Sequence, residues 1–367
     1  MNRFVELAVP GLAQLKPYVP GKPISELERE LGITGSVKLA SNENPLGVSP
    51  KVTQAIAGAF LELARYPDGG GYALRQALAG KHGVDPACIT LGNGSNDVLD
   101  MVARAFLGPG RESLFSQYAF AVYPLSSQAV GAGLVQAPAK EYGHDLQAMA
   151  ERITERTRVV WIANPNNPTG TWLPQTELRS FLEQLSERII VVIDEAYIEY
   201  VEQAEYPDTS KWLADFPNLI VTRTFSKAYG LASLRVGYGL SHPDLADLLN
   251  RVRQPFNVNS LAQVAALAAL QDQAFIEESV QVNRAGMQQL CDGFEQLGLA
   301  YVPSVGNFVA VDLGDRSGAE VDQALLREGC ITRPIGGYGM PNHLRVSIGL
   351  TSENARLLTA LAKVLEA

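Results

Sequence analysis

The segment TRTFSKAYGLASLRVGYG, residues 222 to 239, sets one lysine between a hydroxyl-rich turn and a glycine-rich stretch, with Arg235 eight residues further on. A lysine whose charge is disfavoured by its surroundings can condense with an aldehyde and then carry protons between carbon atoms. Lys227 is the candidate for both tasks. The plain alternative is a solvent-facing lysine beside a turn serine, which leaves Arg235 and the aromatic neighbours without a purpose. Asp194 is the second candidate. It ends the apolar run IIVVID, so it is expected to be buried, and a buried carboxylate needs partners.

Two kinds of partner suit Asp194. Structural backbone donors are one; a protonated heteroaromatic nitrogen, such as that of a pyridoxal ring, is the other. In the second case Asn167 and Tyr197, at the ends of RVVWIAN and IIVVIDEAY, become donors to the ring's phenolic oxygen. Three successive apolar runs end in polar residues at Asn164–Asn167, Asp194–Tyr197 and Ser226–Lys227. Ligands of open α/β sheets bind at such carboxyl ends. LGNGSNDVLDMVARAFL adds a short strand, two glycines, and Ser95 and Asn96 opening an amphipathic helix. Free amides at that helix start make an anion cradle, for which Ser226 and Arg235 are further partners. The segment is neither a dinucleotide fingerprint nor a P-loop, since no GK[ST] follows.

These residues must be positioned by a larger frame. From about residue 50 the pattern alternates helices (50–64, 71–83, 96–107) with short apolar runs (SLFS, GLVQAP, RVVWIAN, IIVVIDEA, NLIVTRTFS, RVGYGL). Uninterrupted apolar runs are expected of strands covered on both faces, so the class is α/β with a mostly parallel sheet. Long helices follow to about residue 298. A strand, a helix, CITRP, the strand LRVSIGL and a final helix then suit a smaller C-terminal α/β domain. The expected division is an N-terminal arm and small-domain segment over 1–45, a large cofactor-binding domain over 46–255, and connecting helices with the small domain over 256–367.

The 367 residues are 46% hydrophobic, with 30 basic against 39 acidic side chains and a net charge of −9, which argues against nonspecific nucleic-acid binding. Cys88, Cys291 and Cys330 have no metal-ligand spacing, so neither a metal site nor a disulfide framework is expected. No apolar run reaches membrane-spanning length, and a cytoplasmic protein is expected.

With Asn167, Asp194, Tyr197, Ser226, Lys227 and Arg235 in this order, the chain resembles the fold-type I pyridoxal-phosphate aminotransferases of classes I and II. LKPYVPGKP, SNENPLG, RYPDGGGYALRQALA, LGNGSND, NPNNPTG, VIDEAY, TFSKAYGLASLR and LRVSIG extend the likeness over nearly the whole chain, and the opening and closing segments resemble the histidinol-phosphate aminotransferase family in particular. The resemblance implies pyridoxal 5'-phosphate held as a Schiff base on Lys227, Asp194 on the ring nitrogen, and Asn167 and Tyr197 on the ring oxygen. It implies a phosphate cup of Ser95, Asn96, Ser226 and Arg235, completed by Tyr66 from a second copy of a homodimer with shared active sites. Phe120, or alternatively Tyr118, is expected to stack on the ring. Arg345 resembles the arginine that takes the substrate carboxylate, with Asn44 beside it. Lys16, Tyr18, Lys22, Arg333 and Tyr338 are candidates for a distal substrate phosphate. The implied reaction uses histidinol phosphate and 2-oxoglutarate; phenylalanine or tyrosine transamination is the nearest alternative.

Overall fold

Seven of the apolar runs form one sheet in the computed structural model, which describes residues 3–17 and 20–366. Its strands are β1 (Ile89–Gly92), β2 (Glu112–Ser116), β3 (Gly133–Ala137), β4 (Thr157–Ala163), β5 (Ile190–Asp194), β6 (Leu219–Thr224) and β7 (Gly237–Ser241). Their spatial order is β1-β7-β6-β5-β4-β2-β3, parallel throughout except β7, which runs antiparallel to both β1 and β6. The alternation of side chains along each strand divides the apolar residues between two cores. Val160, Ile162, Val191, Ile193 and Val221 face one, with Leu74, Leu78 and the alanines of helix Ser260–Leu270. Val159, Trp161, Val192 and Ile220 face the other, with Val98, Val102 and Leu249. Burial on both faces is why the central strands β4, β5 and β6 read as continuous apolar runs, at about 1.5–3 kcal/mol for each large side chain removed from water, whereas the edge strand β3 is largely exposed.

The second sheet is antiparallel, with order β8-β9-β11-β10 for β8 (Ala300–Val302), β9 (Phe308–Asp312), β10 (Arg333–Pro334) and β11 (His343–Ser347). Leu325, Leu357 and Leu361 from helices Gly318–Arg327 and Thr351–Glu366 pack on its Val309, Val311, Leu344 and Val346. Helix Gln273–Gln296, 24 residues and about 36 Å long, places Ile276 in the larger core and Leu290 and Phe294 in the smaller one. The N-terminal segment joins the smaller unit: Val37–Lys38 pairs in parallel with Cys330–Ile331, and Leu39 enters its core. CITRP is therefore two short strands, Cys330–Ile331 on the N-terminal segment and Arg333–Pro334 on β11.

One helix is shorter than its pattern suggests. Ser49 caps Pro50–Ala59 by accepting from the Lys51 N–H, but after Ala59 the chain tightens into a 3-10 turn over Phe60–Glu62. The reason is local: Phe60, Leu61 and Leu63 are exposed, so among the described residues little packs on the continuation to support it.

Candidate active site

The carboxyl ends of β4, β5 and β6 deliver the chemistry to one place. Asp194 closes β5 in register with Thr222 on β6. The Thr222 hydroxyl donates to Asp194 Oδ1 at 2.9 Å, and the Tyr123 hydroxyl donates to Oδ2 at 3.0 Å. Burial pushes the carboxyl up to about 6, against these two bonds, which pull it down; the neighbouring Glu195 adds to the rise. A carboxylate held this way takes up a proton or a cation readily. Thr222 was legible as the residue paired with Asp194 only once the register was known, and Tyr123 lies seventy-one residues away in sequence.

Lys227 follows β6 by three residues, and its Nζ donates to the Ser41 carbonyl at 3.2 Å. It is half-buried and lines the cavity described below. Burial drives its pKa down to about 7, helped by the cations Arg345 and Arg235 and opposed by Glu43 and Asp194. Such an amine is largely able to act as a neutral nucleophile or base near neutral pH.

Tyr197 presents its hydroxyl between two amides. Asn42 Nδ2 donates to it at 3.0 Å and Asn167 Nδ2 at 3.2 Å. Burial pushes the phenol up to about 12, so it keeps its proton. With two N–H groups arriving, the remaining hydrogen-bonding capacity of that oxygen is its own O–H, free for an acceptor. Arg345, buried on β11, donates through Nη1 to Asn167 Oδ1 and through Nη2 to the Ala40 carbonyl, both at 2.6 Å, and its guanidinium lies 5.4 Å from the Phe308 ring centroid.

The anion cradle is built from tight backbone approaches. Helix Ser95–Phe106 begins at Gly94, whose φ of 81° suits glycine, and no side chain caps the helix. Its first amides have no intrahelical acceptor and carry the positive end of the dipole. A Cβ on Gly94 would meet Arg235 Nη2 at 2.4 Å, and one on Gly237 would meet the Ser95 nitrogen at 2.3 Å. The two glycines thus let the arginine and the helix start close on each other. Arg235 Nη1 donates to the Ser226 hydroxyl at 3.2 Å.

A cavity of about 340 Å³ unites these groups: Ser95, Asn96, Phe120, Asn167, Asp194, Tyr197, Ser226, Lys227, Arg235 and Arg345 all line it. Sequence reasoning missed Asn42 and Ser41, which line it too. Asn44 is turned away, donating to the Ala228 carbonyl and the Ser279 hydroxyl at 2.9 and 2.8 Å; two residues of displacement in SNENP separate it from Asn42. Phe120 borders the cavity, whereas Tyr118 borders a different hollow, with Tyr142 and His343. Tyr66 is 82% exposed, stacks on Phe256 at 4.7 Å and is not among the residues lining this chain's cavity. Lys22 pairs with Glu30, while Lys16, Arg333 and Tyr338 line a second hollow of about 640 Å³. Tyr18 lies outside the described residues.

The donor set fits pyridoxal phosphate. A cradle of amides, hydroxyls and a guanidinium matches a phosphate dianion; Asp194 matches a protonated ring nitrogen, and the Tyr197 O–H matches a ring oxygen. Among the described residues no three metal-ligating side chains gather, and no helix is long and apolar enough to cross a membrane.

Comparison with known proteins agrees with this chemistry. The family described as aminotransferase class I and II matches residues 34–361. The chain is 62% identical to histidinol-phosphate aminotransferase 2 of Pseudomonas fluorescens, over 99% of this chain and 98% of that protein. It is 60% identical to the protein of that name from Pseudomonas aeruginosa, over 100% and 99% of the two. The crystal structure of histidinol-phosphate aminotransferase from Sinorhizobium meliloti in complex with pyridoxal-5'-phosphate matches with a TM-score of 0.91 at 31% identity, covering 100% of this chain and 98% of that one.

Proposed function

The chain belongs to the aminotransferase class I and II family, and we propose that it transfers the amino group of L-histidinol phosphate to 2-oxoglutarate, giving imidazole-acetol phosphate and L-glutamate in histidine biosynthesis, with pyridoxal 5'-phosphate as cofactor. The observation that carries the substrate is the 62% identity running through almost the full length of both chains. When bound, the cofactor supplies an exchangeable carbonyl carbon and an electron sink.

The chain's own residues do the rest. Lys227 would hold the cofactor's carbonyl carbon and, as a free amine, would move a proton at the substrate's amine-bearing carbon; an amine with its pKa at about 7 is matched to that work. Asp194, held by Thr222 and Tyr123, keeps a proton on the ring nitrogen. Tyr197 donates to the ring oxygen, supported by Asn167. Ser95, Asn96, Ser226 and Arg235 would hold the phosphate, and Phe120, on the same cavity wall, would stack on the ring. Asn44 steadies the backbone at Ala228, next to Lys227.

Substrate choice rests on the small sheet. In histidinol phosphate, a CH2–O–phosphate arm replaces the carboxylate of an amino acid, so one seat must accept the carboxylate of 2-oxoglutarate and, in turn, a phosphate. Arg333 on β10 is the direct cross-strand partner of Arg345 on β11, which supports a paired-arginine seat. Tyr338 and Lys16 border the adjoining hollow and extend it, whereas Lys22 is committed to Glu30. A twofold dimer with shared sites belongs to this reading, supported by the exposed run Phe60, Leu61, Leu63 and Tyr66. So does a cytoplasmic setting, supported by three free cysteines.

The test is product formation with cofactor mapping. Histidinol phosphate and 2-oxoglutarate should yield glutamate, and borohydride reduction followed by peptide mass analysis should find the cofactor on Lys227. Attachment elsewhere, or no glutamate, would refute the assignment.

A further inference from the structure

Asn42 is not among the residues its motif draws attention to, yet it is 1% exposed and holds a left-handed φ of 54° at the wall of the cavity. Asparagine tolerates that conformation better than most residues, but it still carries strain that its surroundings must offset. The surroundings are a closed set of hydrogen bonds. The Asn42 N–H donates to the Ser347 hydroxyl at 2.8 Å, and that hydroxyl donates back to Asn42 Oδ1 at 3.0 Å. Asn307 Nδ2 donates to the Asn42 carbonyl at 3.1 Å.

The reciprocal pair with Ser347 decides which way the amide points. A hydroxyl that accepts from the backbone N–H has its own proton left for Oδ1. With Oδ1 so engaged, Nδ2 faces Tyr197 and meets its oxygen as a donor at 3.0 Å. Ser347 is 3% exposed and ends β11, two residues after Arg345 and so on the same face of that strand. Tyr197 stands on the large-sheet side, immediately beyond β5.

We propose that Ser347 and Asn42 form a positioning relay in which the small sheet, through the Ser347 hydroxyl, fixes the Asn42 amide so that Tyr197 receives a second N–H and presents its own O–H as a strong donor to the ring oxygen of the bound cofactor. This rests on the assignment of Tyr197 to that oxygen. Its physical content is electrostatic: each N–H delivered to the phenol oxygen makes the phenol a better donor, which favours the ionised ring oxygen and lowers the basicity of the nitrogen joined to Lys227. The relay also ties that tuning to β11, the strand carrying Arg345, so a shift of the small sheet is felt at the cofactor.

The test uses the holoenzyme and reads the midpoint of the pH-dependent shift in the cofactor's visible absorbance. Asn42→Asp keeps a short polar side chain that accepts the left-handed backbone but replaces the donor with an acceptor. Ser347→Ala removes the group that orients the amide. Both should raise the midpoint, by about 0.5 to 1 pH unit for a lost bond of ordinary strength. Ser347→Thr, which keeps the hydroxyl, should restore the wild-type value, and Tyr197→Phe should give the largest rise. If Tyr197→Phe moves the midpoint while Asn42→Asp and Ser347→Ala only lower the melting temperature, the relay is overturned and the contacts are structural. If Tyr197→Phe itself leaves the midpoint in place, the assignment of Tyr197 fails, and the relay with it.

Discussion

At the scale of single residues, the site holds its two key charges in the less favoured form. Lys227 is pressed toward neutrality by burial and by two arginines, and Asp194 is pushed toward its protonated form by burial. These are costs in the cofactor-free protein that the cationic ring nitrogen and covalent tether of the proposed cofactor complex would relieve. The linkage has a definite sign. Between about pH 7 and 10.5 the unfolded chain keeps a proton on Lys227 that the folded chain has shed, so the lysine's destabilising effect is full below pH 7 and fades as pH rises to 10.5. Lys227→Met should therefore raise the melting temperature of the cofactor-free protein near pH 7, with a gain that shrinks toward pH 10. Thermal melts across that range check it; a gain independent of pH would place the cause in packing. Lys227, Asp194, Tyr197 and Arg235 were legible because each sits at a strand end or in a motif. Tyr123 and Asn42 were not: their partners are fixed by tertiary contacts from distant parts of the chain.

At the scale of elements, the phosphate cradle depends on how closely β7 approaches the start of helix Ser95–Phe106. A methyl group on Gly237 falls 2.3 Å from the Ser95 backbone nitrogen, which is not a flexible atom that can step aside. Gly237→Ala should push the helix start away at a cost of about 1–3 kcal/mol. We expect the dissociation constant for pyridoxal phosphate to rise about tenfold or more, with a lower melting temperature. Equilibrium dialysis of the cofactor checks this, and unchanged affinity would mean the cradle tolerates displacement. The strands themselves were readable, since two-sided burial writes continuous apolar runs. That β7 runs antiparallel was not, because RVGYGL reads the same in either direction. The early end of helix Pro50–Ala59 was hidden for a related reason: its pattern continues through Leu63, but among the described residues nothing covers Leu61 and Leu63, which are exposed.

At the scale of the whole molecule, the two large sheets meet around one cavity, with the N-terminal segment paired to Cys330–Ile331 beside the C-terminal sheet and Arg345 crossing to Asn167. The segment's pairing with Cys330–Ile331 is a contact between the chain's two ends, beyond what local periodicity records. The exposed stretch from Phe60 to Tyr66 supports a second copy as its cover. If the proposed dimer forms through this stretch, Leu61→Glu should shift it to monomer in sedimentation velocity and weaken cofactor retention together, because the proposal gives Tyr66 to the phosphate held by the second copy. Dissociation without any loss of cofactor would remove Tyr66 from that role.

The most direct test of the whole account is a half-reaction followed by absorbance: the pyridoxal form of the enzyme mixed with histidinol phosphate in one run and phenylalanine in the other, without 2-oxoglutarate. Conversion to the pyridoxamine form that is far faster with histidinol phosphate, and absent in Lys227→Ala, is the predicted result. Faster conversion with phenylalanine would contradict the substrate assignment, and conversion that survives loss of Lys227 would contradict the mechanism.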